Sequence, residues 1–462
     1  MNPPVFDSSL IRRFDINGPR YTSYPTADRF RTDFEAKVYQ RWLTEHRRES
    51  FGGGPFSLYF HLPFCSSICY YCACNRIITR DHGRSAKYLK YLGRELALQT
   101  SCLEADDNAV EQLHWGGGTP TFLSHAEMRQ LMEMTHRHFR LLDDGEYSIE
   151  VDPRKVDQAT VDLLGELGFN RISLGIQDFD EQVQKTINRI QSEEETFAVV
   201  EAARVNGFRS ISIDLIYGLP KQTPEGFDRT LDRVLAAEPD RLSIYNYAHL
   251  PMLFKPQRRI PDADLPTPDV RLQILALSIE KLTAAGYVFI GMDHFAKPDD
   301  ELAIAQRAGR LHRNFQGYST HADRDMLSFG ITSIGKIGPT YSQNVKTLDE
   351  YYNRLDNGIL PVFRGIELTP DDLLRRAVIQ SLMCHFELTY DTIEATYPVD
   401  FKSYFADELL RLEEMAAEGL VHIGERYLSV LPSGRLLIRA ISMVFDKHLH
   451  SDRNKGRYSK II

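Results

Sequence analysis

The sequence predicts an α/β fold: a partial TIM-like barrel of six strand–helix units, with an N-terminal arm and a mostly helical C-terminal domain. Two observations carry this. Short apolar, β-branched or aromatic runs alternate with longer stretches whose apolar residues recur at three-to-four spacing and close on glycine. Polar residues then fall at the C-terminal ends of several runs, where barrels of this kind place their active sites. An open Rossmann-like sheet is the alternative assembly of the same elements.

Residues 1–50 read as an arm followed by a helix. The strand runs that follow are FSLYFHL (56–62), EQLHWGG (111–117), EYSIEVD (146–152), NRISLGI (170–176), SISIDLIYG (210–218), RLSIYNYAHL (241–250) and YVFIGMDHF (287–295). Their near-continuous apolar character, with helical patterns such as TFAVVEAARVNG between them, indicates strands buried on both faces of a parallel sheet. Glu150 and Asp152, Gln177, Asp214, and Asn246 with His249 stand at or near run ends. From about residue 369 the pattern changes to amphipathic helices (TPDDLLRRAVIQSLMCHF, FADELLRLEEMAAEGLV) and a hairpin leading into a helix. Helix–helix–hairpin resembles a winged-helix module, which here is expected to pack on the barrel or act as a lid rather than bind DNA. The expected division is 1–50, 51–368 and 369–462.

The chain of 462 residues carries 55 Lys and Arg against 64 Asp and Glu, a net charge of −9. That balance argues against general binding of nucleic acid or acidic membranes. No apolar run of 18 residues is present, and the first residues, MNPPVFDSSLIRRFD, lack the apolar core of a signal peptide. A cytoplasmic location with reduced thiols is expected, so clustered cysteines read as metal ligands rather than disulfides.

Four of the six cysteines lie in HLPFCSSICYYCACN (61–75). Cys65, Cys69 and Cys72 form C-x3-C-x2-C. Three thiolates on one loop can hold three irons of a [4Fe–4S] cube and leave the fourth iron open to another ligand. A four-cysteine zinc site joins two separated pairs, and the sequence offers no second pair. Cys74 is poorly placed to complete the same shell. WGGGTP (115–120) follows the second run, and its glycines let backbone approach a ligand closely. His61, His114, His294 and His312 lack metal-ligand spacing and read as hydrogen-bonded side chains.

The cysteine spacing resembles the signature of the radical S-adenosylmethionine (SAM) superfamily. Longer stretches narrow the likeness: GPRYTSYPTA (18–27), FCSSICYYCACN (64–75), LHWGGGTPT (113–121), IEVDPR (149–154), NRISLGIQDF (170–179), IDLIYGLPKQT (213–223), YNYAHLP (245–251), GMDHFA (291–296) and HRNFQGY (312–318). Together they resemble the oxygen-independent coproporphyrinogen III oxidase family over essentially the whole chain. The resemblance implies conversion of two propionates of coproporphyrinogen III to vinyl groups in haem biosynthesis. It also implies one [4Fe–4S] cluster, two SAM molecules, a reductant such as flavodoxin or ferredoxin, and a monomer. Haem-chaperone-like relatives, which bind haem without decarboxylating, share the cysteine triplet. They typically lack the cysteine matching Cys74 and the PRYTSYPTA arm, both present here.

Residue by residue, the resemblance assigns cluster ligation to Cys65, Cys69 and Cys72. It assigns SAM contacts to Tyr59, Tyr71, Gly117, Gly118, Thr119, Glu150, Gln177, Arg189, Asp214, Ala248 and Ile334. Catalytic roles are expected for Glu150, Cys74 and Gln316, and Phe315 and Gln316 match positions near the substrate or second SAM; Arg20 and Tyr21 are further substrate candidates from the chemistry of the arm. The chain departs from the family pattern around Ile334, where it reads GITSIGKIG. The arm is expected to close over the porphyrinogen, with Arg20 forking a propionate and Tyr21 and Tyr24 offering flat faces.

Overall fold

A computed structural model describes residues 3–49, 54–104, 107–321, 324–450 and 458–462. The expected boundary at 50/51 lies outside them.

Six strand–helix units form the frame. The strands are β1 (Phe56–Leu62), β2 (Ala109–Gly117), β3 (Arg140–Val151), β4 (Arg171–Gln177), β5 (Ser210–Tyr217) and β6 (Arg241–Asn246). The helices that follow each in turn are His82–Thr100, His125–His138, Gln158–Glu166, Glu193–Val205, Pro224–Ala236 and Pro268–Ala284. Every one starts on a side chain that accepts an otherwise orphaned helical N–H: Asp81, Ser124, Asp157, Ser192, Thr223 and Thr267. Neighbouring strands from β1 to β6 pair in parallel, so all six C-terminal ends open on one side.

The run at 287–295 is not a seventh parallel unit. It folds as a hairpin of β7 (Val288–Gly291) and β8 (His294–Ala296), turning at Met292, whose φ is +53°. β8 pairs antiparallel with β6. A seventh parallel strand, β9 (Met326–Phe329), instead lies against the other side of β1. Its four residues were too few to show a period. Three antiparallel strands, β10 (Ile334–Ile337), β11 (Thr340–Asn344) and β12 (Val362–Glu367), extend that edge. The sheet therefore runs β12-β11-β10-β9-β1-β2-β3-β4-β5-β6-β8-β7. A small hairpin, His312–Asn314 with Gly317–Ser319, enters the lumen from the opposite end to the strand C-termini. There Gln112 donates to Ser319 Oγ at 3.0 Å, and Thr320 donates to Glu146 at 2.5 Å.

The C-terminal region opens on helix Pro370–His385 and carries a three-stranded sheet, Glu387–Thr389, Tyr427–Val430 and Val421–Ile423. The expected hairpin is the last two of these. The region shares one apolar core with the barrel: Leu382, Phe386 and Phe445 belong to the same buried cluster as Leu215, Leu242 and Phe289 of β5 to β7. The N-terminal arm is part of it too, through Tyr21 and Tyr24. Among the described residues no helix is long and apolar enough to cross a membrane.

Asp372 ties this region together. It closes the capping box of helix Pro370–His385 with Thr369, and it lies 2.9 Å from both Lys447 and His448. Burial pushes its carboxyl up, but the bonds from His448, Lys447 and Thr369 outweigh that and hold it below the usual aspartate value. A depressed folded-state pKa adds stability above the unfolded value of 3.8 that is lost as pH falls below it. Asp372→Asn is expected to cost about 1–3 kcal/mol at neutral pH. In urea titrations at stepped pH, the gap from wild type should shrink below about pH 4. A gap independent of pH would contradict this account.

Candidate functional site

The loop after β1 carries the cysteines. It is pinned on both flanks: Phe64–Cys65 pairs in parallel with Ile77–Ile78, and Asn188 Nδ2 donates to the Ile68 carbonyl at 2.6 Å. Arg76 gathers the loop from inside, donating to the carbonyls of Cys69 (3.3 Å), Cys72 (3.1 Å) and Cys74 (2.9 Å). Cys65, Cys69 and Cys72 thereby line one cavity of about 260 Å³ at the C-terminal strand ends. Cys74, Tyr71, Gly117, Gly118, Thr119, Glu150, Gln177, Arg189 and Asp214 line the same cavity.

Each group has an identifiable local cause. Gly118 packs so tightly against the Pro63–Phe64 backbone that a Cβ would lie 2.7 Å from the Pro63 carbonyl carbon. Gly117 takes φ +113°, and its N–H donates to Glu150 Oε2 at 3.0 Å. The triple glycine therefore lets the backbone form a cavity wall with an outward-facing edge. Gln177 ends β4 with φ +70°, a conformation that costs a non-glycine residue free energy and turns its side chain into the cavity.

The electrostatics divide the two carboxylates. Burial pushes Glu150 up, but His114 and the Gly117 amide reverse the balance, so it sits below the usual glutamate value and stays ionised. Burial pushes Asp214 up, and Ser243 and Ser173 only partly offset it. Two carboxyls of unlike proton affinity thus face one space. Of the thiols, burial pushes Cys65 up to about 11, although Thr119 donates to its sulfur at 3.4 Å. Cys72 is drawn down to about 6, chiefly by a hydrogen bond with Cys74. Two guanidiniums approach Cys69 Sγ: Arg189 at 3.7 Å and Arg154 at 3.8 Å. Asp152 orients both, accepting two bonds from Arg154 at 2.6 and 2.9 Å and lying 3.4 Å from Arg189.

These residues fit an iron–sulfur cluster with a bound SAM. Among the described residues no three His, Cys, Asp or Glu close on a point as ligands of a single ion do. The thiols instead share the wall of a cavity, with cations placed to offset thiolate charge. Arg189 Nε is buried without a partner, a donor suited to a carboxylate.

Several sequence-predicted residues lie beside this cavity or apart from it. Tyr59 sits under the floor, stacked on His114 with ring centres 5.8 Å apart and its hydroxyl 3.1 Å from His61. Ala248 is tied to the rim, because Gln257 donates to both the Tyr71 and Ala248 carbonyls, at 2.9 and 3.2 Å. Gln316 lines a deeper lumen cavity of about 180 Å³ that meets the first along Glu150, Ser173, Asp214 and Tyr245. Phe315 and Ile334 pack elsewhere, in a cluster with Tyr341 and Phe30. Asn246 accepts from Arg271, and His249 bridges Tyr247 and Asp262, so neither faces the cavity.

The arm requires a correction. Tyr21 and Tyr24 are 2% and 1% exposed and offer no face to a ligand. Tyr21 donates to Asp446 at 3.0 Å, and the Tyr24 hydroxyl accepts from the Lys447 amide at 3.3 Å. Arg20 does not reach the cavity directly: it pairs with Asp293 and lies 5.6 Å from the Tyr245 ring centre. Tyr245, which lines both cavities, was not anticipated, nor was Arg154 as a group facing Cys69 with Asp152 holding it there. The signal for the last pair was two opposite charges flanking Pro153, just past the end of β3 within VDPR.

A sequence model of the Radical SAM superfamily matches residues 59–234, and one of the HemN C-terminal domain matches residues 368–437. The chain is 53% identical over 459 residues to the oxygen-independent coproporphyrinogen III oxidase of Pseudomonas aeruginosa, covering 99% of each. It is 48% identical to that of Escherichia coli K12, covering 99% of this chain and 98% of the relative. The solved structure described as coproporphyrinogen III oxidase (HemN) from Escherichia coli, a radical SAM enzyme, superposes with a TM-score of 0.92. It covers 97% of this chain and 100% of that one.

Proposed function

This chain belongs to the oxygen-independent coproporphyrinogen III oxidase family of radical SAM enzymes, and we propose on that footing how its cleft performs the oxidation. The reaction is the oxidative decarboxylation of two propionates of coproporphyrinogen III to vinyl groups, giving protoporphyrinogen IX in haem biosynthesis. When bound, the [4Fe–4S] cluster and SAM supply the 5′-deoxyadenosyl radical that an unactivated carbon–hydrogen bond demands.

The observation that carries the assignment of roles is the convergence of the cysteine loop, the triple glycine and four separate strand ends on one cavity. Cys65, Cys69 and Cys72 hold the cluster. Gly117, Gly118 and Thr119 present backbone edge to the amino acid part of SAM, and ionised Glu150 faces its positive charge. Arg189 takes a carboxylate. Tyr71, Gln177, Asp214 and Ala248 line the remaining wall and rim, with room continuing into the lumen below. A second SAM is part of the proposal, as is a catalytic role for Cys74 and for Gln316 beneath. Contacts of Phe315 with substrate and of Ile334 with SAM also belong to the proposal, although both pack in the cluster with Tyr341. The divisions at 50/51 and 368/369, a monomeric state, a cytoplasmic location and a one-electron protein reductant complete the reading.

Anaerobic turnover of coproporphyrinogen III with SAM and a reductant tests it. Protoporphyrinogen IX should form with one 5′-deoxyadenosine per propionate lost, and haem retention without turnover would instead mark a chaperone. Cys74→Ser should keep the iron and the visible spectrum of wild type while losing decarboxylation. Loss of iron in that variant would move Cys74 into the ligand set.

A further inference from the structure

We propose that a surface groove beside the cysteine loop docks an acidic protein carrying a one-electron centre, which delivers the electron the cluster requires. The proposal rests on the radical SAM reading of that loop. The groove, of about 490 Å³, is walled by Asn75 and Ile77 on one side and by Arg84, Lys87, Lys346 and Tyr352 on the other. Its first wall is the back of the cysteine loop. Thr79 donates to the Cys65 carbonyl at 2.9 Å, and the Asn75 carbonyl lies 3.1 Å from His61 Nε2. Asn75 Nδ2 donates to the Lys346 carbonyl at 3.2 Å, which fixes the cationic rim to that loop.

The groove shares no lining residue with the cavity that faces the thiols. A ligand there cannot exchange atoms with SAM or with a substrate radical. An electron needs only proximity, and one short piece of backbone separates the two spaces. The step makes and breaks no bond: the carrier is oxidised by one electron, and the cluster is reduced by one.

Charge selects the partner. The chain is acidic overall, at −9, and many of its surface cations are matched by carboxylates, as in Arg12–Asp269, Arg41–Glu367 and Arg129–Glu166. Arg80, Arg84, Lys87 and Lys346 are exposed and form no ion pair among the described residues. Lys87 rests its ammonium 4.5 Å from the Tyr352 ring centre. Asp349 is the one carboxylate in the lining, and Asp356 behind the rim is occupied by Arg94 and Tyr91. A positive patch of this kind on a negative molecule steers and orients an acidic protein at the one place where its electron is useful.

The test uses cluster-loaded protein, reduced flavodoxin as the acidic carrier, and reduced methyl viologen as a cationic reductant that the patch does not attract. In the triple variant Arg84→Glu, Lys87→Glu, Lys346→Glu, flavodoxin binding read by calorimetry should weaken about tenfold or more at low salt. Its dependence on ionic strength should flatten. Bleaching of the cluster absorbance by flavodoxin should slow to match, while bleaching by methyl viologen and the iron content stay at wild-type values. The milder triple R84Q, K87Q, K346Q removes the charge but keeps a polar side chain and should fall between the two, which guards against misfolding of the reversal. Undiminished flavodoxin binding, equal slowing with both reductants, or a loss of coproporphyrinogen affinity instead would each overturn the proposal. If the reduced enzyme cleaves SAM but never converts coproporphyrinogen, the substrate assignment falls while the docking surface stands.

Discussion

Cys69→Ser protein, reconstituted anaerobically with iron and sulfide, is expected to show no [4Fe–4S] absorbance, no 5′-deoxyadenosine and no protoporphyrinogen. Wild type should hold about four irons and four sulfides per chain. Cys69 is the most informative of the three ligands because it is where the site's charges meet. Arg189 and Arg154 both point at its sulfur, at 3.7 and 3.8 Å, and Asp152 holds the pair in place. Serine keeps the loop geometry, since the Cys69 carbonyl still accepts from Arg76. What it removes is the soft sulfur ligand. The fold should survive, because the loop's anchors, Asn188 Nδ2 to the Ile68 carbonyl and Tyr70 N–H to the Ile187 carbonyl, do not involve the thiol. An unchanged thermal melt of the metal-free proteins, wild type and variant, would separate ligand loss from misfolding. Iron and sulfide at wild-type levels in the variant would remove Cys69 from the ligand set.

How far the sequence could anticipate this site follows from how its parts are built. The three thiols, the triple glycine and the strand-end carboxylates are local features, visible as spacing or as a polar residue closing an apolar run. β1 through β6 were legible because each carries a dense apolar run and each is followed by a capped helix, although β3 starts at Arg140, on exposed residues ahead of the EYSIEVD run. The run at 287–295 misled because a hairpin of two short buried strands carries the same apolar composition as one strand, and only the turn at Met292 distinguishes them. β9 was invisible at four residues. Arg154 and Tyr245 lie within motifs, but nothing in their spacing shows that the path of the chain brings both side chains to the cavity. The arm failed differently: tyrosine's flat face and polar tip suit a ligand surface and a protein interior equally well. Composition cannot choose between them.

Tyr24→Ala is expected to destabilise the protein by about 3–5 kcal/mol, a large share of the roughly 5–15 kcal/mol that holds a typical domain folded. The arm is clasped from several directions. Arg439, 3% exposed, donates to the carbonyls of Gly18 and Pro19 on the arm and of Ile461 at the C-terminal end. Gly18 and Ile16 pair with the same tail through Gly18 N–H to Ser459 O at 3.1 Å and Ile461 N–H to Ile16 O at 3.0 Å. Tyr24 itself packs 5.7 Å from the His448 ring and caps the Lys447 amide, next to the Asp372 network. Removing its ring opens a cavity in the core shared by the barrel and the C-terminal region and takes away the partner of the part-buried Lys447 N–H. A lid would behave otherwise, since a mobile cover contributes little to global stability and its loss uncouples radical formation from product. Urea denaturation and product analysis on the same variant therefore decide the matter. A lowered midpoint, with 5′-deoxyadenosine and protoporphyrinogen falling together, marks a structural clasp. An unchanged midpoint, with 5′-deoxyadenosine still formed but little product, would restore the lid. Arg20 sits at the edge of the clasp, paired with Asp293 and near the Tyr245 ring. Arg20→Ala should accordingly leave the denaturation midpoint closer to wild type than Tyr24→Ala does, because its guanidinium is part-exposed and its ion pair borders the core rather than filling it.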